Sequence, residues 1–155
     1  MNTSFKEDAV KREIISKSGT RESLHVTGAD VSFVCPAEAT ERGWSVSEIT
    51  VPRDAGPPLH RHPWDEGYYM IEGEIAFTVG DRQVVAKAGD FLFAPGGTPH
   101  AFHGASDHPA RVLVLDVPAA AEDFFREVDR EVKEFPRDVP KMIEIGRRHR
   151  LEFMH

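Results

Sequence analysis

The chain has 155 residues, 40% of them apolar, the size of one globular domain that can bury a core without covalent staples. Its 19 basic and 26 acidic residues leave a formal charge of -7, a balance that repels nucleic-acid phosphates and anionic lipid surfaces. Cys35 is the only cysteine, which excludes an intramolecular disulfide, a cysteine-based zinc site and a two-cysteine redox pair.

Met1 to Ile15 mixes both charge signs and lacks the apolar stretch of a signal peptide, and no later run is long enough to span a bilayer. A cytoplasmic protein without membrane or nucleic-acid partners is therefore expected. Phe5, Ala9, Val10, Ile14 and Ile15, behind Ser4, suit either a short helix or an extended arm. From Leu24 to Leu115 the chain turns into short runs rich in Val, Ile, Phe and Tyr, broken by Gly, Pro and Asp. Strands are expected at 24–27, 31–35, 44–51, 66–71, 74–79, 83–87, 91–94, 99–103 and 111–117. Gly80-Asp81 between two alternating runs marks a hairpin.

After Pro118 the period changes. Ala121, Phe124, Phe125, Val128 and Val132 form one apolar stripe, which predicts an amphipathic helix packed on the β body. Phe135-Pro136 ends it, and Pro140 suits the first turn of a second helix. The expected layout is one domain, with an arm and first strands over 1–35, a barrel core over 36–118 and a helical appendage over 119–155. Strands closed by helices, without βαβ alternation, point to an all-β sandwich, barrel or jelly roll.

Chemistry concentrates in Gly56-Pro-Pro-Leu-His60-Arg-His62-Pro-Trp-Asp-Glu66 and in Gly89 to His103. On a strand, His60 and His62 present both imidazoles to one side while Arg61 points away. Pro63 breaks that strand, and the turn over Pro63 to Asp65 returns Glu66 beside the histidines. Two imidazoles and a carboxylate suit a divalent first-row metal. The turn at Pro95, Gly96 and Gly97 aims His100 at the same place as a further imidazole.

A single His-x-His is usually an ordinary polar strand; the combination with Glu66 and His100 is what favours a metal. His103, three residues after His100, falls on the opposite strand face, and His25, His108, His149 and His155 suit the surface. Tyr68 and Met70 share the parity of Glu66, and Phe93 and Phe102 flank His100, so these four are candidates for the substrate pocket against a plain core role. Trp64 suits either the pocket mouth or the surface. Arg53 and Arg61 suit outward strand positions.

Gly56, His60, His62, Glu66 and Gly73 resemble the first cupin motif, and Gly89, Pro95, Gly97 and His100 resemble the second. Two departures stand out: Gly56 lies one residue closer to His60 than in the strictest form, and Gly104 stands where Asn is common. The resemblance implies a double-stranded β-helix, the cupin jelly-roll barrel. It also implies one divalent metal ion per chain, iron, manganese, nickel, cobalt or zinc, on His60, His62, Glu66 and His100. The surrounding pattern is similar to small bacterial monocupins called quercetin dioxygenase-like. That similarity suggests a dioxygenase of a small enol or phenol of the flavonol kind, with Glu66 as catalytic base. A non-catalytic binder of a small molecule, and a metal-dependent isomerase or epimerase of a sugar or keto acid, are the alternatives. The resemblance further implies a homodimer, with residues 1 to 35 as material for exchange between copies.

Overall fold

A computed structural model describes residues 10–154. Eleven strands form two antiparallel sheets: β1 (Ser23–Val26), β2 (Ala29–Cys35), β3 (Ser45–Val51), β4 (His60–Arg61), β5 (Asp65–Glu72), β6 (Ile75–Val79), β7 (Arg82–Ala86), β8 (Phe91–Ala94), β9 (His100–Gly104), β10 (Ala110–Val117) and β11 (Glu152–Phe153). One sheet runs β1-β2-β3-β10-β5-β8 and the other β11-β4-β9-β6-β7. The β body is the jelly-roll barrel the motifs imply, and it closes over one apolar core.

Strand alternation makes the two faces. In β3, Ser45, Ser47, Ile49 and Val51 point inward, and in β10 Ala110, Val112, Val114 and Asp116 do so, with polar or half-exposed residues between them. Gly80 and Asp81 join β6 to β7, and Gly80 adopts φ 61°, a left-handed conformation that glycine enters without steric cost.

The apolar stripe after Pro118 forms helix α1 (Glu122–Glu131), with Phe124 and Val128 buried. Helix α2 (Val139–Arg148) starts with Pro140 in its first turn and buries Met142 and Ile145. The chain then re-enters the barrel as β11, antiparallel to β4, with Glu152 opposite Arg61 and Phe153 opposite His60. The sequence shows no such strand, because two residues carry no readable period.

The helix considered over residues 4–15 falls partly outside the described residues; Val10 to Lys17 is not helical, and a single 3-10 turn follows at Ser18–Thr20. Within the segment considered for exchange, β1 pairs with β2 and β2 with β3 of the same chain.

Candidate metal centre

His60 and His100 face each other as partners on β4 and β9, with ring centroids 4.3 Å apart. Arg61, between His60 and His62, turns outward to Glu152, Nε to Oε2 2.9 Å. The two motif turns interlock. Gly97 N–H donates to the His62 carbonyl at 2.7 Å and Gly96 N–H to Asp65 Oδ1 at 2.8 Å. A Cβ on Gly96 would sit 2.1 Å from the Pro63 carbonyl oxygen, so only glycine lets the turns approach this closely.

His60, His62 and His100 are all buried, and each offers a nitrogen within 4.8 Å of the others, a set that could hold a metal ion. Which nitrogen is free follows from the backbone. His60 Nδ1 lies 2.8 Å from the Pro58 carbonyl, His62 Nδ1 3.0 Å from the Trp64 carbonyl, and His100 Nδ1 2.8 Å from the Thr98 carbonyl. A carbonyl only accepts, so each Nδ1 carries the proton and each Nε2 keeps its lone pair. Nε2 of His62 and of His100 is buried without a hydrogen-bond partner. Orphaned acceptors at the centre of a folded barrel are costly, and a bound cation would satisfy them. The donor set fits a divalent first-row metal.

Glu66 lies beside them, with Oε2 3.4 Å from His62 Nε2 and Oε1 3.4 Å from His100 Nε2. Burial pushes its carboxyl up, but its close contacts with His100, His62 and Asp116 outweigh burial and hold it well below the usual range. Burial lowers His60 to about 4, which keeps its imidazole neutral and ready to coordinate. His100 is held above its ordinary value: burial lowers it, and Glu66 more than offsets that.

The candidate pocket residues separate. Tyr68 is 1% exposed, lines the cavity beside the histidines and donates its hydroxyl to Glu66 Oε1. Phe102 also lines the cavity. Met70 points inward but belongs to the core beyond the cavity lining. Phe93 is a correction: it is 53% exposed, because Ala94 takes the inward position opposite Glu66 and alternation turns Phe93 out. Trp64 is not at the surface: it is buried, lines the cavity and stacks on His62. His103 and His25 are exposed, and His149 pairs with Glu127.

Two polar residues were missed. Asp116 sits opposite Glu66 on one side and opposite Ser45 on the other, forming a buried polar row across β5, β10 and β3. Burial, then the neighbouring Glu66, raises the Asp116 carboxyl well above the ordinary range. Asp116 Oδ1, Ser45 Oγ and Trp64 Nε1 all lack partners. The signal was present in the sequence: Asp116 takes the inward parity of Val112 and Val114, where a carboxylate needs a reason.

The cavity beside the site has a volume of about 50 Å³ and an apolar wall that includes Val31, Ile49 and Val114. Phe124 and Phe125 of α1, with Leu151 and Phe153 of the C-terminal tail, also line it. No helix among the described residues is long and apolar enough to cross a membrane.

Residues 47–116 match the cupin domain family. The chain is 31% identical over 75 residues to an uncharacterised protein of Methanocaldococcus jannaschii, covering 48% of this chain and 60% of that one. It is 32% identical over 78 residues to an uncharacterised protein of Streptomyces coelicolor, covering 50% of this chain and 73% of that one. With a gentisate 1,2-dioxygenase of a Streptomyces species it shares 31% identity over 86 residues, 54% of this chain but only 24% of the dioxygenase. Among solved structures, an RmlC-like cupin from Shewanella frigidimarina superposes with a TM-score of 0.61 at 21% identity, over 74% of this chain and 97% of that one. The two sheets, the order of the two motifs and the sequence match agree, and the chain belongs to the cupin superfamily.

Proposed function

We propose that the protein is a metal-dependent dioxygenase acting on a small enol or phenol, with one divalent ion per chain held by His60, His62, His100 and Glu66. One observation carries the proposal. Three buried imidazoles, each fixed by a backbone carbonyl with Nε2 free, converge beside a carboxylate held ionised. A divalent metal bound there supplies Lewis acidity and, for a redox metal, a route to dioxygen.

The chain's own residues do the rest. Tyr68 donates to one Glu66 oxygen and fixes the carboxylate's orientation. Glu66, charged and buried, is placed to accept the proton of a substrate hydroxyl. Phe124, Phe125 and Phe153 line the apolar side of the cavity and limit the water around the reacting group.

The similarity to a gentisate dioxygenase supports oxygen chemistry, although it spans less than a quarter of that protein. The cavity's mostly apolar wall disfavours the sugar-binding alternative, since beside the ligand set it offers the many hydroxyls of a sugar few hydrogen-bonding groups, Thr27 and Tyr68 among them. The test is oxygen uptake by protein reconstituted separately with iron, manganese, nickel, cobalt and zinc, using enol and phenol probes. Uptake with a redox metal that Glu66→Ala abolishes is the expected result. Stoichiometric metal without uptake by any probe would leave isomerisation or binding instead. Association of two copies belongs to the same proposal; sedimentation at micromolar concentration should give twice the chain mass.

A further inference from the structure

We infer that the site selects a neutral, single-ring hydroxy-carbonyl compound and rejects both anionic and multi-ring ligands, an inference that rests on the metal centre proposed above. The charge argument comes from the wall. Among the described residues, the cavity wall contains neither lysine nor arginine. The nearby arginines are engaged outside it: Arg61 with Glu152, Arg53 with Asp107, and Arg126 with Glu22 and Glu122. A carboxylate or phosphate on the body of a ligand would be buried there without a counter-charge, which is costly in an apolar enclosure. A divalent ion beside the Glu66 carboxylate leaves one net positive charge, which the ionised hydroxyl of a chelating head neutralises, so a further anionic group on the ligand finds no counter-charge there.

The size argument comes from the volume. A water needs about 10–15 Å³ by this measure, so a cavity of about 50 Å³ has room for three to five water-sized positions, enough for one small ring. The three rings of a flavonol exceed it. The boundary is set by Phe124 and Phe125 on α1 and by Leu151 and Phe153 on the tail. Phe125 is half-buried, outside the densest part of the core, and is the specificity-determining residue most open to change.

Three probes share one hydroxypyranone chelating head and differ only in its body. Maltol carries a methyl group and is neutral; comenic acid carries a carboxylate; 3-hydroxyflavone carries two further rings. Each is titrated into cobalt-loaded protein, and binding is read from the visible spectrum of the cobalt, independently of turnover. Maltol is expected to bind at least tenfold tighter than either of the others. Phe125→Ala should narrow the gap for 3-hydroxyflavone and leave that for comenic acid unchanged. Comenic acid or 3-hydroxyflavone binding as tightly as maltol, or no spectral change with any probe on stoichiometric cobalt, would overturn the inference alone. Failure to take up cobalt would overturn the metal centre and the inference with it.

Discussion

The indole of Trp64 lies flat on the imidazole of His62, ring centroids 3.9 Å apart and planes 5° from parallel. The Trp64 carbonyl also accepts the His62 Nδ1 proton, so one residue fixes both the plane of that ring and its tautomer. Trp64→Ala keeps the carbonyl but loses the stack. Its metal affinity should fall about 10–100-fold, as for other residues that orient a ligand. Its stability should fall by about 3–5 kcal/mol from the cavity left behind. Trp64→Phe should recover most of both. Competitive cobalt titration and urea unfolding measure the two effects, and wild-type affinity in Trp64→Ala would remove the stack from the account.

Tyr68→Phe removes the phenolic hydroxyl that donates to Glu66 while retaining the ring packed against Phe77 and Phe102. Metal content should stay at one equivalent, and maltol affinity or turnover should fall, because Glu66 loses its orientation. Loss of the metal itself would mean that the three imidazoles do not hold it without an oriented Glu66.

Gly104 stands where the second motif commonly has Asn, and the fold explains the difference. A Cβ there would lie 2.2 Å from the Pro52 carbonyl oxygen, in a close backbone approach that also pairs Arg53 with Gly104. Gly104→Asn should therefore lower Tm, with a cost on the order of a few kcal/mol for displaced backbone, and bring no gain in metal content. A thermal melt beside elemental analysis checks both. An unchanged Tm would contradict the packing described.

Asp138 gives a pH dependence away from the metal. Its carboxylate accepts the backbone N–H groups of Lys133 and Glu134, at 2.8 and 3.0 Å, and these lower it from the ordinary 3.8 to about 2. The folded value lies below the unfolded one, so the stabilisation is complete above pH 3.8 and is lost as pH falls through about 2. Asp138→Ala should melt a few degrees lower than wild type at pH 6, on the order expected for losing two backbone hydrogen bonds to a carboxylate, and the difference should shrink toward pH 2.5. A constant difference across that range would assign the effect to packing instead.

The barrel was legible because its strands alternate cleanly and its turns are written in Gly, Pro and Asp. His60, His62, Glu66 and His100 were legible because two motifs frame them. Three things were not. Phe93 was placed by its nearness to His100 in sequence, whereas its parity relative to Ala94 sends it outward. Trp64 lies in a turn, where no period says which way a ring points. The Nδ1 contacts run to backbone carbonyls, which no side-chain pattern records. Asp116 was legible in principle from its parity but was passed over inside an apolar run.

The most direct test of the metal centre is cobalt stoichiometry, by elemental analysis after reconstitution of untagged protein and of His62→Ala, each shown to be folded by circular dichroism. One equivalent in the wild type and none in His62→Ala is the predicted result. A folded wild type that takes up no cobalt, or a His62→Ala variant that keeps a full equivalent, would contradict it.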